Sequence, residues 1–424
     1  MTPKERAPSG VLATAWVVGL VAGLAAPRIV AARPWVPPGA VPVPSGAASV
    51  RIVRADEPIY QGPDLAAPRR GSARRSAYLP LYAAVRGPGC RGSWLEIGAL
   101  AWVCRDAVEL SPIAPLAANE PPATGPLPFQ YHFVKSLGSL GYSSLDLAEE
   151  GIPDAEFEPG FAVAIVRVDR RSRHDPFGLS TKGFWVPMRD LEPARPSSFR
   201  GIATPNGRLD VAWVSTDSAA VHVAPGGARR PEALPRLTPL NVLDVVEQHG
   251  RRWLSVGDGA WVDAKNAAMP ELSPPPAGVT PGERWLDVQL ATQTLVAYQG
   301  AVPVFATLVS TGKGAEGTEP ATPRGDFRVW VKLVTSDMDN LEAAEASRYY
   351  AMHDVPWVMF FERGYGLHGT YWHGDFGRVR SHGCVNLSPA DAAWLFEFSG
   401  PRVPAGWTAA LPTPYDRGTL VHVR

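Results

Sequence analysis

The chain has 424 residues, 45% of them hydrophobic, with 41 basic and 41 acidic side chains. The formal net charge of zero argues against binding to nucleic acid or another acidic polymer through bulk charge. The length allows roughly two to four domains, and the 41 glycines and 44 prolines favour short strands and many turns over long helices.

The N-terminus has the layout of an export signal. Lys4 and Arg6 precede an apolar run over residues 10–26. Basic residues before such a run are typical of a secretory signal, and about 17 apolar residues is also the lower limit for a membrane span. Residues 1–32 are therefore predicted to be a signal peptide or a retained membrane anchor. Residues 33–49, rich in Pro, Ala, Gly and Ser, are predicted to be a linker.

The chain contains three cysteines, Cys90, Cys104 and Cys384. Cys90 and Cys104 lie fourteen residues apart in a segment with strand-like patterning. An exported chain meets oxidising conditions, so we predict a disulfide between these two residues. Cys384 is then left as the free thiol.

Trp-rich segments repeat along the N-terminal two thirds of the chain. Residues 94–103 and 253–262 each place two Trp residues eight apart, with Gly and Ala at matching offsets. Residues 177–186 form a weaker third copy with Phe as the first aromatic residue. Apolar and polar residues alternate around a glycine-containing turn in each copy, which predicts three β-hairpins.

These hairpins resemble the distal part of bacterial SH3-like domains. We therefore predict three small β-barrels: a first module at residues 50–113, a middle module at 127–196 and a third module at 205–270. Pro-rich segments separate them. The modules either bind a ligand as an array or act as spacers whose Trp residues fill their cores, because buried Trp is more often core than binding platform.

The C-terminal region, residues 283–424, also has mainly strand-like patterns. The Pro389–Phe398 segment is the exception, since it has an apolar face at helical spacing and Ser388 as a possible N-cap. The predicted strands are residues 285–291, 295–298, 302–310, 327–334 and 356–361.

Residues 381–387 read Ser-His-Gly-Cys-Val-Asn-Leu, and a His368-Gly369 pair precedes them. A cysteine beside glycine and small residues suits a nucleophile that a substrate must reach. A histidine sixteen residues upstream can act as its base and later protonate the leaving group. Spacing alone leaves two alternatives open: a buried structural cysteine, or a metal site formed by His368, His373, His382 and Cys384.

The ordered motifs resemble the signature of the YkuD-type L,D-transpeptidases over about residues 283 to 403. That signature is His-Gly-Thr, a loop, and Ser-His-Gly-Cys followed by an apolar residue and Arg or Asn. Here residues 368–370 and 381–386 match it. Residues 287–295, 310–312 and 322–327 resemble the opening strands and the Thr-Pro-x-Gly turn of the family.

The resemblance implies a mainly β chain whose C-terminal catalytic domain is a β-sandwich preceded by SH3-like modules. It implies that Cys384 is the nucleophile, His368 the base, and Gly369 the residue whose carbonyl orients the imidazole. Backbone amides around Gly383 and Cys384 would stabilise the oxyanion. Neither a cofactor nor a metal is expected. Substrate contacts are expected from five further residues: Tyr371, His373, Arg380, His382 and Asn386.

The implied activity is acyl transfer on peptidoglycan stem peptides, which cross-links or remodels the cell wall in the periplasm or cell envelope. The alternatives are an L,D-carboxypeptidase with the same nucleophile, and an inert scaffold that binds the wall through its SH3-like modules. Partners beyond the stem peptides and the possible membrane anchor do not follow from the sequence, nor does the oligomeric state.

Overall fold

The computed structural model describes residues 39–116, 125–170, 176–318, 320–341 and 350–424. The predicted signal or anchor, residues 1–32, lies outside these ranges. No helix within them is long and apolar enough to cross a membrane. The prediction of a mainly β chain is confirmed, because these ranges contain 35 strands and two α-helices.

The N-terminal strands form one small sheet and the edge of a larger sheet, with an apolar core between them. One sheet has the order β5-β2-β9, and the strands β1-β6-β7-β8-β3-β4 form the edge of a larger sheet. Val50, Ile59 and Val103 are fully buried between them. The strands are β1 (Ala40–Val41), β2 (Ser49–Ile52), β3 (Glu57–Tyr60), β4 (Arg69–Ala73), β5 (Tyr78–Pro80), β6 (Ala83–Val85), β7 (Trp94–Gly98), β8 (Ala101–Cys104) and β9 (Val108–Ser111).

The predicted disulfide is confirmed. Cys90 and Cys104 are bonded, with their Cα atoms 5.7 Å apart, and Cys384 is free. The predicted linker, residues 33–49, contains a short strand that was not expected: Ala40 pairs with Val85 in β6.

The middle module combines strands with one short helix. The helix begins after Ser144, whose hydroxyl accepts a hydrogen bond from the Leu147 N–H at 3.2 Å, and ends at Gly151 with φ of 72°. The elements are β10 (Gln130–Val134), β11 (Ser139–Gly141), α1 (Leu145–Glu150), β12 (Ala155–Phe157), β13 (Ala162–Asp169), β14 (Phe177–Ser180), β15 (Trp185–Pro187) and β16 (Leu191–Pro193).

The third module has a three-stranded sheet, β21-β18-β25, and a five-stranded sheet, β20-β19-β24-β23-β22. Trp213 and Leu254 are fully buried. The strands in and just before this module are β17 (Ile202–Ala203), β18 (Val211–Val214), β19 (Ser218–His222), β20 (Arg229–Pro235), β21 (Pro239–Asn241), β22 (Asp244–Gln248), β23 (Arg251–Gly257), β24 (Ala260–Asp263) and β25 (Ala267–Ala268).

All three predicted hairpins form, and they share one register. Trp94 pairs with Cys104, Trp253 with Asp263, and Phe177 with Pro187 in the weaker copy. A three-residue 3-10 helix and a short strand follow each hairpin. The first aromatic residue of each copy is buried, so these rings fill cores. The SH3-like class of the modules and their boundaries stay predictions.

The C-terminal region packs two sheets and a helix around one core. One sheet has the order β17-β28-β27-β26-β35-β29, and the other contains β34-β30-β31-β32-β33. Leu286, Met359, Val385 and Leu395 are fully buried together between them. The elements are β26 (Arg284–Gln289), β27 (Thr294–Gln299), β28 (Val302–Leu308), β29 (Gly325–Arg328), β30 (Val331–Asp339), β31 (Ala351–Glu362), β32 (Tyr365–Gly369), β33 (Val385–Leu387), α2 (Pro389–Phe398), β34 (Trp407–Ala410) and β35 (Leu420–Val423).

The predicted strand over residues 327–334 is wrong, because it is two strands in different sheets. β29 pairs with β35, whereas β30 pairs with β31. The chain changes sheets at Val329 and Trp330, whose N–H groups donate to Thr419 O and Phe360 O. Apolar residues alternate without a break across the bend, so the bend cannot be predicted from the sequence pattern. The predicted helix and its Ser388 cap are confirmed.

The first two modules and the short strand before the third module pair with the C-terminal region through their backbones. β4 of the first module pairs with β34, β13 of the middle module with β31, and β17, just before the third module, with β28. The strand β17 lies in a segment that was expected to be a Pro-rich linker. The segment after the third module also packs, since Ser273 N–H donates to the Tyr298 hydroxyl at 3.0 Å.

Candidate active site

Two parallel neighbouring strands bring the cysteine and the histidine together. His368 lies in β32, and Cys384 directly precedes β33. The register pairs Leu367 with Val385, so one step back places Cys384 beside Gly366. Residues two apart on a strand share a face, so the side chains of Cys384 and His368 point to the same side of the sheet.

The His368 imidazole is oriented by a backbone carbonyl, as the resemblance implies. Its Nδ1 lies 3.1 Å from Gly369 O, and a carbonyl can only accept, so Nδ1 carries the proton. Nε2 is therefore the basic nitrogen. The ring is 2% exposed and stacks on Trp372 at 5.8 Å. Burial lowers the pKa of His368 to about 4, so the imidazole is neutral at pH 7.

The Cys384 thiol is half-buried, with its Sγ 3.7 Å from Gly364 O. Burial raises the pKa of Cys384 above its ordinary value, and a hydrogen bond from the Gly366 backbone partly opposes that rise. Burial disfavours the charged form of both the thiol and the imidazole. The resting pair is therefore a thiol and a neutral imidazole, and an attack by the sulfur would require its proton to move to the imidazole.

Hydroxyl groups hold the turn that carries Cys384. Ser381 Oγ accepts from Gly383 N–H at 3.0 Å and donates to Cys384 O at 2.5 Å. Thr322 Oγ1 donates to Gly383 O at 2.7 Å and accepts from Gly312 N–H at 2.9 Å. The Gly383 amide, expected to stabilise an oxyanion, is therefore already bonded to a side chain in this structure.

Gly383 is required at its position for two reasons. Its φ is +120°, a conformation that L side chains rarely adopt. A Cβ there would lie 2.3 Å from Tyr365 Cε1 and 3.3 Å from Ala321 O. The motif glycine thus lets the turn pass close beneath an aromatic ring.

His373 and Asn386 form a polar pair in the same cleft as Cys384 and His368. His373 Nδ1 accepts from Asp375 N–H at 3.1 Å, so Nε2 carries the proton of the neutral ring. Nε2 lies 2.9 Å from the Asn386 amide, whose oxygen otherwise has no partner. Rotating the amide lets Nε2–H donate to that oxygen and satisfies both groups. Burial lowers the pKa of His373 to about 4, in accord with a neutral ring.

The loop between the two motifs is held by the third module. Arg236 donates to Gly374 O at 2.9 Å and to Phe376 O at 2.6 Å. Within the loop, Arg380 pairs with Asp375 at 2.7 Å. The bonds from Arg236 connect the loop to a neighbouring sheet.

Of the remaining residues predicted to contact the substrate, one is exposed and the other is buried. His382 is exposed and its ring stacks with Tyr350 at 6.3 Å. Tyr371 is 1% exposed, and its hydroxyl donates to His353 O at 3.1 Å. The position of Tyr371 therefore favours a supporting role over the predicted substrate contact. The sequence assigned no role to Trp372, and it did not single out Tyr350, which no motif distinguishes from other aromatic residues.

An open cleft of about 1130 Å³ joins these groups. His368, Cys384, His373, His382, Arg380 and Asn386 all line it, as do Lys313, Asp337 and Asp339. The lining thus includes both cationic side chains and carboxylates. Such a cleft can accept a zwitterionic peptide beside the thiol.

The alternative metal site is not supported by the geometry. Among the described residues, the group of His, Cys, Asp and Glu side chains close enough to share an ion is Cys90, Cys104 and Asp106. Both of those cysteines form the disulfide. The histidines around Cys384 do not converge in this way.

Comparison with known proteins agrees with this geometry. Residues 283–423 match the family model described as YkuD, the L,D-transpeptidase catalytic domain. The C-terminal region is an L,D-transpeptidase catalytic domain of the YkuD type. The match covers the elements from β26 to β35 and ends at Val423, the last residue of β35. It says nothing of the modules before residue 283.

Individual relatives are distant. YciB of Bacillus subtilis (strain 168), assigned by name to the L,D-transpeptidases, is 22% identical over 197 residues, 38% of this chain and 89% of its own length. An L,D-transpeptidase structure from Enterococcus faecium is 22% identical, with a TM-score of 0.26. The match covers 34% of this chain and half of that one.

A second structure, from Mycobacterium smegmatis, is an L,D-transpeptidase of 18% identity and a TM-score of 0.27. The match covers 62% of this chain and 99% of that one.

Proposed function

We propose that the protein is an exported L,D-transpeptidase that acts on peptidoglycan stem peptides through a Cys384 thioester. The observation that carries the proposal is the placement of His368 in β32 and of Cys384 just before the adjacent parallel strand β33, where both residues line one open cleft. The bond between His368 Nδ1 and Gly369 O leaves Nε2 free to accept a proton. These are the parts that nucleophilic acyl transfer needs.

The reaction has two acyl-transfer steps. Cys384 Sγ attacks the carbonyl between an L-centre and a D-residue while its proton passes to His368 Nε2. The tetrahedral intermediate collapses to a thioester, and the terminal D-amino acid leaves as an amine protonated by His368. The side-chain amine of a second stem then attacks the thioester, loses a proton to His368, and releases Cys384 as a thiol.

Backbone amides near Cys384 support the oxyanion in this proposal. The Gly383 amide must either exchange its bond to Ser381 Oγ or leave the role to its neighbours. His382 and Arg380 line the cleft and are the proposed contacts for the stem peptide, Arg380 through a peptide carboxylate. Asn386 acts through His373, to which it is bonded.

Two other functions share parts of this geometry. Water in place of the amine would make the protein an L,D-carboxypeptidase. A scaffold that binds the wall through its modules would need no catalysis, and the intact pair of Cys384 and His368 argues against it. The extracytoplasmic location rests on the family of the C-terminal domain and on the predicted signal at residues 1–32.

Muropeptide mass spectrometry tests the proposal. Purified protein incubated with tetrapeptide-containing muropeptides should produce cross-linked dimers. Trimmed stems alone would indicate a carboxypeptidase, and an unchanged profile a scaffold. Cys384→Ala should abolish turnover with an unchanged melting temperature, and Tyr415→Ala, at a side chain 89% exposed, is the matched control. Full activity in Cys384→Ala would refute the proposed nucleophile.

A further inference from the structure

The middle module is attached to the catalytic sheet next to the active site. β13 pairs in parallel with β31, through Ala162 and Met352. Just before this module, Pro126 O accepts a hydrogen bond from Trp357 Nε1 at 2.6 Å. The attachment therefore involves both strand pairing and side-chain bonds along β31.

Asp354 in β31 is the centre of this attachment. Its carboxylate accepts a bond from Thr181 Oγ1 at 2.5 Å and lies 3.7 Å from Lys182 Nζ, which also pairs with Asp337 at 2.7 Å. The Asp354 carbonyl accepts a bond from the Tyr131 hydroxyl at 2.6 Å. Asp354 has φ of 51°, a strained conformation that persists where surrounding bonds hold it.

A continuous series of aromatic rings leads from this attachment to the catalytic histidine. Tyr131 stacks on Tyr371 with centroids 4.1 Å apart. Tyr371 packs edge-on against Trp372 at 5.0 Å, and Trp372 stacks on His368 at 5.8 Å. Tyr131 and Tyr371 are nearly fully buried, so removing one ring leaves its neighbours without support.

The middle module also contributes a wall of the cleft. Phe133, two residues after Tyr131 in β10, lines the same cleft as Cys384 and His368, and so does Gly160. The Phe133 ring is half-buried and lies 6.1 Å from the Tyr371 ring. A half-exposed aromatic face in the cleft that contains Cys384 offers apolar contact to a peptide held there.

We propose that the middle module completes the active site: Phe133 contacts the bound peptide, and Tyr131 is a positioning residue for His368. The first half of this inference rests on the proposed function, because it needs a peptide in the cleft. The second half does not, because the reactivity of Cys384 reports on His368 without any peptide.

Two measurements on the full chain test the two roles. Alkylation of Cys384 by iodoacetamide across pH 4 to 10 reports on the base, and kinetics with a muropeptide report on binding. Phe133→Ala should raise KM about 10-fold and leave the alkylation profile unchanged. Tyr131→Leu, which keeps apolar volume but loses the ring, should lower kcat and the neutral-pH alkylation rate about 10-fold. Tyr131→Phe, which keeps the stack, should restore most of both.

Tyr60→Ala is the matched control, because Tyr60 packs on Trp94 in the first module away from the cleft. The inference is overturned if Tyr131→Leu and Phe133→Ala behave like Tyr60→Ala in both assays. It is also overturned if Tyr131→Leu, Phe133→Ala and Tyr60→Ala all lose activity in proportion to a lower melting temperature. If the wild type has no activity on muropeptides, the proposed function fails, while a changed alkylation profile in Tyr131→Leu would still support the positioning role.

Discussion

The identity of the base can be tested through the pH dependence of Cys384 alkylation in three histidine variants. His368, His373 and His382 all line the cleft, so proximity alone does not separate them. They differ in what their ring nitrogens contact. His368 Nδ1 is bonded to Gly369 O, which leaves Nε2 free, whereas both nitrogens of His373 are engaged. His382 is exposed.

The size of the pKa shift of His368 follows from its burial. The pKa of His368 falls from 6.5 to about 4, and at 1.36 kcal/mol per unit this disfavours the imidazolium by about 3 kcal/mol. The neutral base is therefore present down to about pH 4. Loss of a general base costs about 10²–10⁴-fold in rate.

In the wild type, iodoacetamide should alkylate Cys384 at a rate that is flat from about pH 5 to 8 and falls near pH 4. In His368→Ala the plateau should disappear, because burial raises the pKa of the Cys384 thiol and the thiolate is then scarce at neutral pH. His382→Ala should follow the wild type. His373→Ala should keep the plateau, with a smaller loss from its broken bond to Asn386.

Near-UV circular dichroism of each variant controls for loss of folding. The reasoning is refuted if His368→Ala titrates like the wild type while His373→Ala or His382→Ala loses the plateau. It is also refuted if the wild-type plateau falls near pH 6.5, because a solvated imidazole would then be the base.

Three further predictions concern single residues outside this pair. Gly383→Ala should reduce turnover at least about 100-fold, because its Cβ would lie 2.3 Å from a tyrosine ring. Gly282→Ala is the control and should leave turnover unchanged, because Gly282 also has a positive φ but a Cβ there would meet open space. Non-reducing peptide mapping should find Cys90 linked to Cys104, and Cys90→Ser should destabilise the first module by about 3 kcal/mol, as a loop of about 15 residues predicts. Three alkylatable thiols in exported protein would contradict the linkage. Lys332 donates to Phe396 O and Ser399 O, and burial lowers its pKa from 10.5 to about 7. The unfolded chain therefore binds more protons between these values, so the free energy of unfolding should rise with pH from about 7 to 10.5 in the wild type and less in Lys332→Met. Equal slopes in denaturant titrations would contradict this.

Local patterns were enough to predict much of this protein. The Cys90–Cys104 bond, the hairpins and the helix Pro389–Phe398 all depend on residues close in sequence. Short-range spacing, capping and alternation determine such elements largely by themselves. Cys384 and His368 could also be identified as a candidate nucleophile and base, because a thiol and an imidazole are recognisable from residue type alone.

Other features depend on contacts between distant segments. The change of sheet at Val329 is invisible to alternation, because apolar residues face a core on both sides of the bend. The sequence predicted Tyr371 as a substrate contact, but its ring is buried and stacks on Tyr131, 240 positions away. The positions of His373 and Asn386 likewise depend on each other.

The sequence by itself determined which short elements form and which residues are candidates for the chemistry. The tertiary structure decided which nitrogen of His368 is free, which glycine amide is already bonded, and which module lines the cleft. The physical reason is that burial and hydrogen-bond partners set protonation and orientation. Both arise only when strands such as β13 and β31, far apart in the chain, pair in space.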